Sequence, residues 1–365
     1  MRYERLWFSI RLPTYIILIV AIGVIGCSRT PANPESQEKT NHPPQLSDNK
    51  VSTTTAENTH KPVFDAVKVS EHEVLLVGPS GLLGIANAET GIMGKRYGKT
   101  KPGVSFMSVA LDSKGEIYVT DARGHILRTD MSLSEMQEEK SEADGALFDL
   151  GFLQSGAAIA VGEFGTVLHR TNTGGVWERQ PLDWRKLLPV LIEKQGDVAP
   201  NLYRLCIPKN SENAMMVGEF GVVLEWESGQ WHAQTVGENV GNMFGCYLRS
   251  DGAQFVYGQL GQIFERKDKK QIWQKIVLPG NADIYDMTEV DDHLVAVGDG
   301  GMIFTSADGK TWHSQKIQVD GYQPSWLIRA IPLRQSLQLV GDGVYHTHFD
   351  KSVVANAIAK DRDEK

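Results

Sequence analysis

The chain has 365 residues, of which 37 are Lys or Arg and 45 are Asp or Glu, for a formal net charge of −8, and it carries three cysteines. So acidic a chain has little to gain from a nucleic-acid backbone, so no nucleic acid is expected as a partner. So few cysteines, with no CxxC or paired-histidine spacing, indicate no zinc site, and the expectation is no metal and no cofactor.

At the N-terminus, Arg2, Arg5 and Arg11 precede an apolar stretch from Tyr15 to Ile25. That is the pattern of a secretion signal, and the stretch is short for a membrane-spanning helix. It ends at Val24-Ile25-Gly26-Cys27, which resembles a bacterial lipobox. The resemblance implies that residues 1–26 are removed and that Cys27 takes lipid chains, anchoring a soluble domain without a spanning helix. Ser28 then favours the outer membrane, facing the periplasm, within the cell envelope. The competing reading is an uncleaved N-terminal anchor. Residues 27–50 are rich in Pro, Asn, Gln, Ser, Thr and charge, with Leu46 the only large aliphatic side chain. Such a segment buries too little apolar surface to offset its ordering entropy, so it reads as a flexible tether.

From Val51 to residue 349 one phrase returns seven times: an apolar run, Gly or its substitute, a turn residue, and a second apolar run. Its anchors are Gly78, Thr120, Gly162, Gly218, Gly258, Gly298 and Gly341, spaced by 42, 42, 56, 40, 40 and 43 residues. A period near forty signals a repeat architecture. The sixth copy reads as four strands, Ile284–Val290, Leu294–Val297, Met302–Ser306 and Trp312–Ile317, separated by turn residues. Four short antiparallel strands per repeat make a propeller blade, so the chain is predicted to be all-β, a seven-bladed β-propeller of four-stranded antiparallel blades. Trp177, Trp231, Trp273 and Trp312 stand at the start of the fourth strands and read as packing between blades.

The long third interval holds an insertion at 183–200, with a short amphipathic helix over Arg185–Lys194 broken at Pro189. It is either a contact element or a decorative loop. Cys206 and Cys246 occupy different repeat positions on neighbouring innermost strands. They are read as two buried thiols in preference to a disulfide. The last repeat supplies only three strands. Val51–Thr55 is favoured slightly over Ser352–Ile358 as the missing outer one, and 350–365 is left as a polar tail.

Aligning the innermost strands gives two adjacent columns. Phe64, Phe106 or Met107, Phe148, Tyr203, Phe244, Tyr285 and Ile328 look like packing. Asp65, Ser108, Asp149, Arg204, Gly245, Asp286 and Arg329 fall where a propeller has its central channel. These charges either pair across the channel or offer a partner a polar mouth, with Arg204 and Arg329 suited to gripping carboxylates. A second ring, Asp121, Glu163, Glu219, Gln259, Asp299 and Asp342, comes from the turns. It is either hairpin chemistry or an acidic face. Phe164 and Phe220 in the same turns are inter-blade wedges or exposed anchors for a partner.

The run from Val297 to Trp312, VGDGGMIFTSADGKTW, resembles the photosystem II stability/assembly factor propellers and their bacterial relatives, and Val161–Trp177 and Val217–Trp231 are further good copies. The resemblance implies a non-catalytic, monomeric propeller that holds a membrane protein or its assembly intermediate. With the lipobox, it implies a lipid-tethered scaffold beside an envelope complex such as an exporter of the resistance-nodulation (RND) type. A rival is a sialidase-like glycoside hydrolase, since Asp308-Gly309-Lys310-Thr311-Trp312 resembles an Asp-box. That enzyme needs an arginine cluster, and only two arginines enter the channel column, so no enzyme activity is expected. A third reading is an outer-membrane barrel-assembly lipoprotein, whose tryptophan signature does not occur here.

Overall fold

The computed structural model describes residues 53–55, 61–99, 103–172, 174–196, 199–318, 322–334 and 336–348. The segments read as signal, lipidation site Cys27, tether and tail lie outside them. Seven four-stranded antiparallel sheets follow one another, as the repeat predicts. Blade 6 consists of Ile284–Val290, His293–Gly298, Met302–Ser306 and His313–Lys316. Blade 7 takes its innermost three strands from Leu327–Pro332, Ser336–Gly341 and Val344–His348. Its outer strand is Thr53–Thr55, with Thr53 opposite Thr347 and Thr55 opposite Tyr345. The N-terminal strand therefore completes the last blade, which fastens the two ends of the propeller sequence to each other. At the seam the Val63 amide donates to the Gly341 carbonyl at 2.7 Å.

Each blade is apolar on both faces because each is covered on both sides. The second strands Ala158–Gly162, Ala214–Gly218 and Gln254–Gly258 are buried along their whole length. The apolar side chains gather into seven clusters, and each cluster joins two neighbouring blades. Trp177, Trp231 and Trp312 are buried, as their place in the repeat predicts. Between blades 2 and 3 the Arg170 guanidinium lies 4.7 Å from the Trp177 ring centre, while the Trp177 indole donates to Glu139 at 2.7 Å. Blades 4 and 5 repeat the device, with Arg266 over Trp273 and paired with Glu225.

The repeated glycine has a steric origin. A Cβ on Gly298 would sit 1.8 Å from the Asp283 carbonyl oxygen, and one on Gly258 would sit 2.0 Å from that of Asn242. In the six blades that carry the glycine, the second strand ends against the start of its own innermost strand, and only hydrogen fits there. In blade 2 the register differs from the sequence alignment: Asp121 pairs with Phe106 as Gly162 pairs with Leu147. Asp121 therefore belongs to the strand end and not to the ring of turn acids.

Cys206 and Cys246 form a disulfide, with Cα atoms 6.0 Å apart. This corrects the reading of two separate thiols. Side chains alternate along a strand, so residues one position out of step in the repeat point to opposite faces of their own blades. Opposite faces of successive blades look at each other, so the one-residue offset that argued against the bridge is what permits it.

The insertion forms two short helices, α1 (Trp184–Leu187) and α2 (Pro189–Gln195). Asp183 caps α1 by accepting the Lys186 amide at 3.1 Å. Leu182, Trp184, Leu187, Leu188 and Leu191 pack on the cluster between blades 3 and 4. The Trp184 indole lies 2.6 Å from where a Gly165 Cβ would be, which sets the insertion beside the blade 3 turn.

Candidate functional site at one mouth of the channel

Asp65, Ser108, Asp149, Arg204 and Arg329 meet at the channel and hold one another, and Asp286 lies there bonded to the neighbouring blade. The innermost strands are the channel-side edges of their sheets, so the amide of the residue after the channel position has no strand partner there. Asp65 and Asp149 each span two blades with two oxygens. Asp65 accepts its own blade's Ala66 amide and blade 2's Val109 amide, both at 2.9 Å. Asp149 does the same with Leu150 and, in blade 4, Leu205, again at 2.9 Å. Asp286 accepts the Ala330 amide of blade 7 at 2.9 Å. Arg329 donates to Asp65 at 2.7 Å, and Arg204 stands 3.4 Å from Asp149 and 3.7 Å from Asp65.

Burial pushes all three carboxyls above their ordinary range, Asp286 to about 6. Burial pulls Arg204 the other way, but Asp149 and Asp65 outweigh it, and its guanidinium ends above its ordinary value. In blade 5 the position is Gly245, and the Tyr257 ring fills the vacant place. Its hydroxyl accepts the Met287 amide of blade 6 at 3.2 Å.

The turns between second and third strands form a ring of tips. Blades 1, 3, 4 and 5 share one geometry, a single tight turn at Pro79–Gly81, Glu163–Gly165, Glu219–Gly221 and Gln259–Gly261. Its middle residue adopts the left-handed region, with φ of 55° at Ser80, 53° at Phe164, 57° at Phe220 and 57° at Leu260. A side chain in that region costs roughly 1–2 kcal/mol, and glycine or asparagine would relieve it. Blade 6 places Gly300 there instead. In blades 3, 4 and 5, where blade 1 has the small Ser80, the position carries large apolar side chains aimed at solvent: Phe164 is 64 % exposed and Leu260 61 %, with Phe220 at 37 %. The next blade holds each strained amide. Phe164 and Phe220 donate to Asn201 and Asn242 at 3.0 Å, and Leu260 donates to Asp283 at 2.7 Å.

The acids of the tips are tied to the blades. Glu163 accepts the Ala146 amide at 3.0 Å, and Glu219 accepts the Asn201 amide at 2.9 Å and the Tyr203 hydroxyl at 3.1 Å. Asp299 accepts the Tyr285 hydroxyl at 2.8 Å. They remain a rim of negative charge, set among the exposed apolar tips.

Inside this rim lies an apolar ring that the sequence alignment treats as packing. The residues displaced by β-bulges on the innermost strands are Met107, Phe148, Tyr203, Phe244, Tyr285 and Ile328. A bulge re-aims its extra side chain, here towards the channel mouth. Phe148, Tyr203, Phe244 and Tyr285 form a chain of tilted rings, with successive centres 5.9, 5.8 and 5.4 Å apart. The Tyr203 and Tyr285 hydroxyls reach the tip acids, so inner ring and rim are one surface. Leu260 and the bulges are what sequence reasoning missed. Leu260 was legible as the third bulky residue at one repeat position, whereas a bulge leaves no mark in a single sequence.

The Asp-box-like turn is closed on itself. Asp308 accepts the Lys310 amide at 2.8 Å and the Thr311 amide at 2.7 Å, and Trp312 donates to the Gly309 carbonyl at 3.1 Å. Among the described residues no group of three or more His, Cys, Asp or Glu is arranged to hold a metal ion.

No protein-family model matches the chain, and no curated protein matches it in sequence. Solved structures do match its fold. YCF48 bound to D1 peptide aligns with a TM-score of 0.63 and 16 % identity, over 84 % of this chain and 99 % of that one. YCF48 from Cyanidioschyzon merolae gives 0.63 and 16 %, over 82 % and 98 %. A catalytically inactive virginiamycin B lyase from Staphylococcus aureus, with quinupristin, gives 0.66 and 12 %, over 82 % and 99 %. One fold thus carries a peptide-bound protein and an enzyme, so the fold alone does not assign the chemistry. The resemblance read from the repeats holds in three dimensions: the chain has the seven-bladed propeller architecture that it shares with YCF48.

Proposed function

We propose that this protein is a non-catalytic, lipid-anchored scaffold of the cell envelope that holds a segment of a membrane-protein complex against the mouth formed by Phe164, Phe220 and Leu260. The observation that carries the reading is the left-handed backbone under three exposed apolar side chains. Strain of this kind, kept on three successive blades where glycine or asparagine would be more stable, fits a surface retained for contact. The inner aromatic ring supplies a wide apolar seat. The carboxylates of Glu163, Glu219 and Asp299 favour a partner segment with basic residues beside its apolar ones.

Two further observations support the reading. The Cys206–Cys246 disulfide suits an oxidising compartment outside the cytoplasm. YCF48, alike in fold, has been solved with a D1 peptide bound. In this reading the channel residues Asp65, Asp149, Arg204, Asp286 and Arg329 hold the ring, and the tips meet the partner. Against a glycosidase, both oxygens of the channel carboxylate Asp286 are engaged, with the Ala330 amide and the Tyr257 hydroxyl.

The test is co-purification from envelope membranes of cells that make the protein. A membrane protein retained by the wild type is expected to be lost from the Phe164→Asn/Phe220→Asn/Leu260→Asn variant at unchanged protein level. Equal retention by both would refute the assignment of the mouth.

A further inference from the structure

A second surface lies on the rim of the propeller, away from the mouth. The two most exposed large apolar side chains among the described residues are Ile272 and Val277, both 82 % exposed, and they flank the outer strand of blade 5. That strand, Gln274–Ile276, ends its sheet and pairs only inward, with Lys275 opposite Phe264. Between it and the Asp308–Thr311 turn of blade 6 runs a groove of about 530 Å³, whose lining includes Ile272, Val277, Lys267, Lys275, Lys310 and Glu265. The blade 6 wall is firm, because Asp308 fixes the Lys310 and Thr311 amides.

The charge of this groove runs against that of the chain. Three lysines line it in a protein of net charge −8, opposed by Glu265 alone. Burial raises the Glu265 carboxyl, with Lys267 and Lys310 acting against that rise. Arg266 adds no free charge because Glu225 pairs with it. Lysine on an edge strand is a common guard against strand addition. A guarded edge has no use for two protruding aliphatic side chains, and blade 2 is guarded without them, its outer strand being Gln137–Glu139. A concave seat, an unpaired strand edge, aliphatic contacts and lysines together match an extended acidic chain laid beside the strand.

We infer that the blade 5 groove binds an acidic, extended protein segment with alternating aliphatic residues, added as a fifth strand beside Gln274–Ile276. The site is independent of the mouth, so either can fail without the other. The probe is a fluorescein-labelled ten-residue peptide alternating Glu and Val, titrated into the full-length protein and followed by anisotropy. Saturable binding is expected, weakened about tenfold or more by Lys267→Glu/Lys275→Glu/Lys310→Glu. Ile272→Ser/Val277→Ser is expected to weaken it about fivefold or more through lost apolar contact. The Phe164→Asn/Phe220→Asn/Leu260→Asn variant is expected to bind like the wild type. All three variants change exposed positions, and thermal melts check that they fold. Absence of saturable binding, or binding indifferent to both groove variants, overturns the inference. So does binding to phosphatidylcholine vesicles containing phosphatidylglycerol that Ile272→Ser/Val277→Ser abolishes, if the peptide does not bind, because the face would then be a lipid contact.

Discussion

Tyr257 stands in for the side chain that Gly245 lacks. The two residues are paired across the first and second strands of blade 5, and a Cβ on Gly245 would fall 2.3 Å from the tyrosine ring. The hydroxyl then bonds the Met287 amide of the next blade, a task that Asp65 and Asp149 perform elsewhere for Val109 and Leu205. The inter-blade bond is kept while the residue supplying it moves one strand outward.

Gly245→Ala should therefore destabilise the fold by about 2 kcal/mol or more, because the ring is buried and cannot step aside. Tyr257→Phe should cost about 1–2 kcal/mol by stranding the Met287 amide. Urea unfolding of both variants checks this. A neutral Gly245→Ala would show that the ring moves freely.

At the tips, function and stability should separate. Phe220→Asn is expected to leave stability unchanged or raise it by up to about 1 kcal/mol, since asparagine tolerates the left-handed region. A loss above about 1 kcal/mol in thermal unfolding would mean that Phe220 is a packing wedge.

The Cys206–Cys246 bridge closes a loop of sequence separation 40. Chain entropy puts its contribution at about 4 kcal/mol, and losses of about 2–4 kcal/mol are usual when native bridges are removed. Cys206→Ser/Cys246→Ser should lower the midpoint of unfolding, and a reductant should lower that of the wild type but not that of the variant. Equal effects of reductant on both would contradict the pairing.

Acidity should favour the channel. Burial raises Asp286 to about 6 from 3.8, so the folded chain keeps a proton that the unfolded chain releases. The resulting stability is full below about pH 4 and is lost as pH rises through about 6. Asp65 and Asp149 shift in the same direction, with burial the largest cause. Tm should fall between about pH 4 and pH 6, by roughly 2–4 °C for each kcal/mol, and Asp286→Asn should flatten that slope. A wild-type profile rising over this range would contradict the shift.

Much of the architecture was legible because the repeat makes the same steric demand in six of the seven blades. Gly298 and its counterparts mark where the second strand meets its innermost strand, and Trp177 and Trp312 mark where the fourth begins. The closing strand at Thr53–Thr55 could be anticipated because one blade lacked a partner. The site was legible less evenly. Phe164 and Phe220 stood out as large apolar residues in turns, yet their left-handed backbone depends on Asn201 and Asn242 in the next blade. The ring of Phe148, Tyr203, Phe244 and Tyr285 depends on bulges, which are properties of pairing and not of composition. Repeat position alone argues against the disulfide, because it does not say which face each cysteine presents.

Site-specific photo-crosslinking in cells that make the protein tests the central claim most directly. A photoreactive phenylalanine analogue at position 164 or 220 should form an adduct with one membrane protein of the envelope, whereas the same analogue at Gln137 on the blade 2 rim should not. Equal labelling from Gln137, or adducts to none but soluble proteins, would contradict a scaffold that holds its partner at the channel mouth.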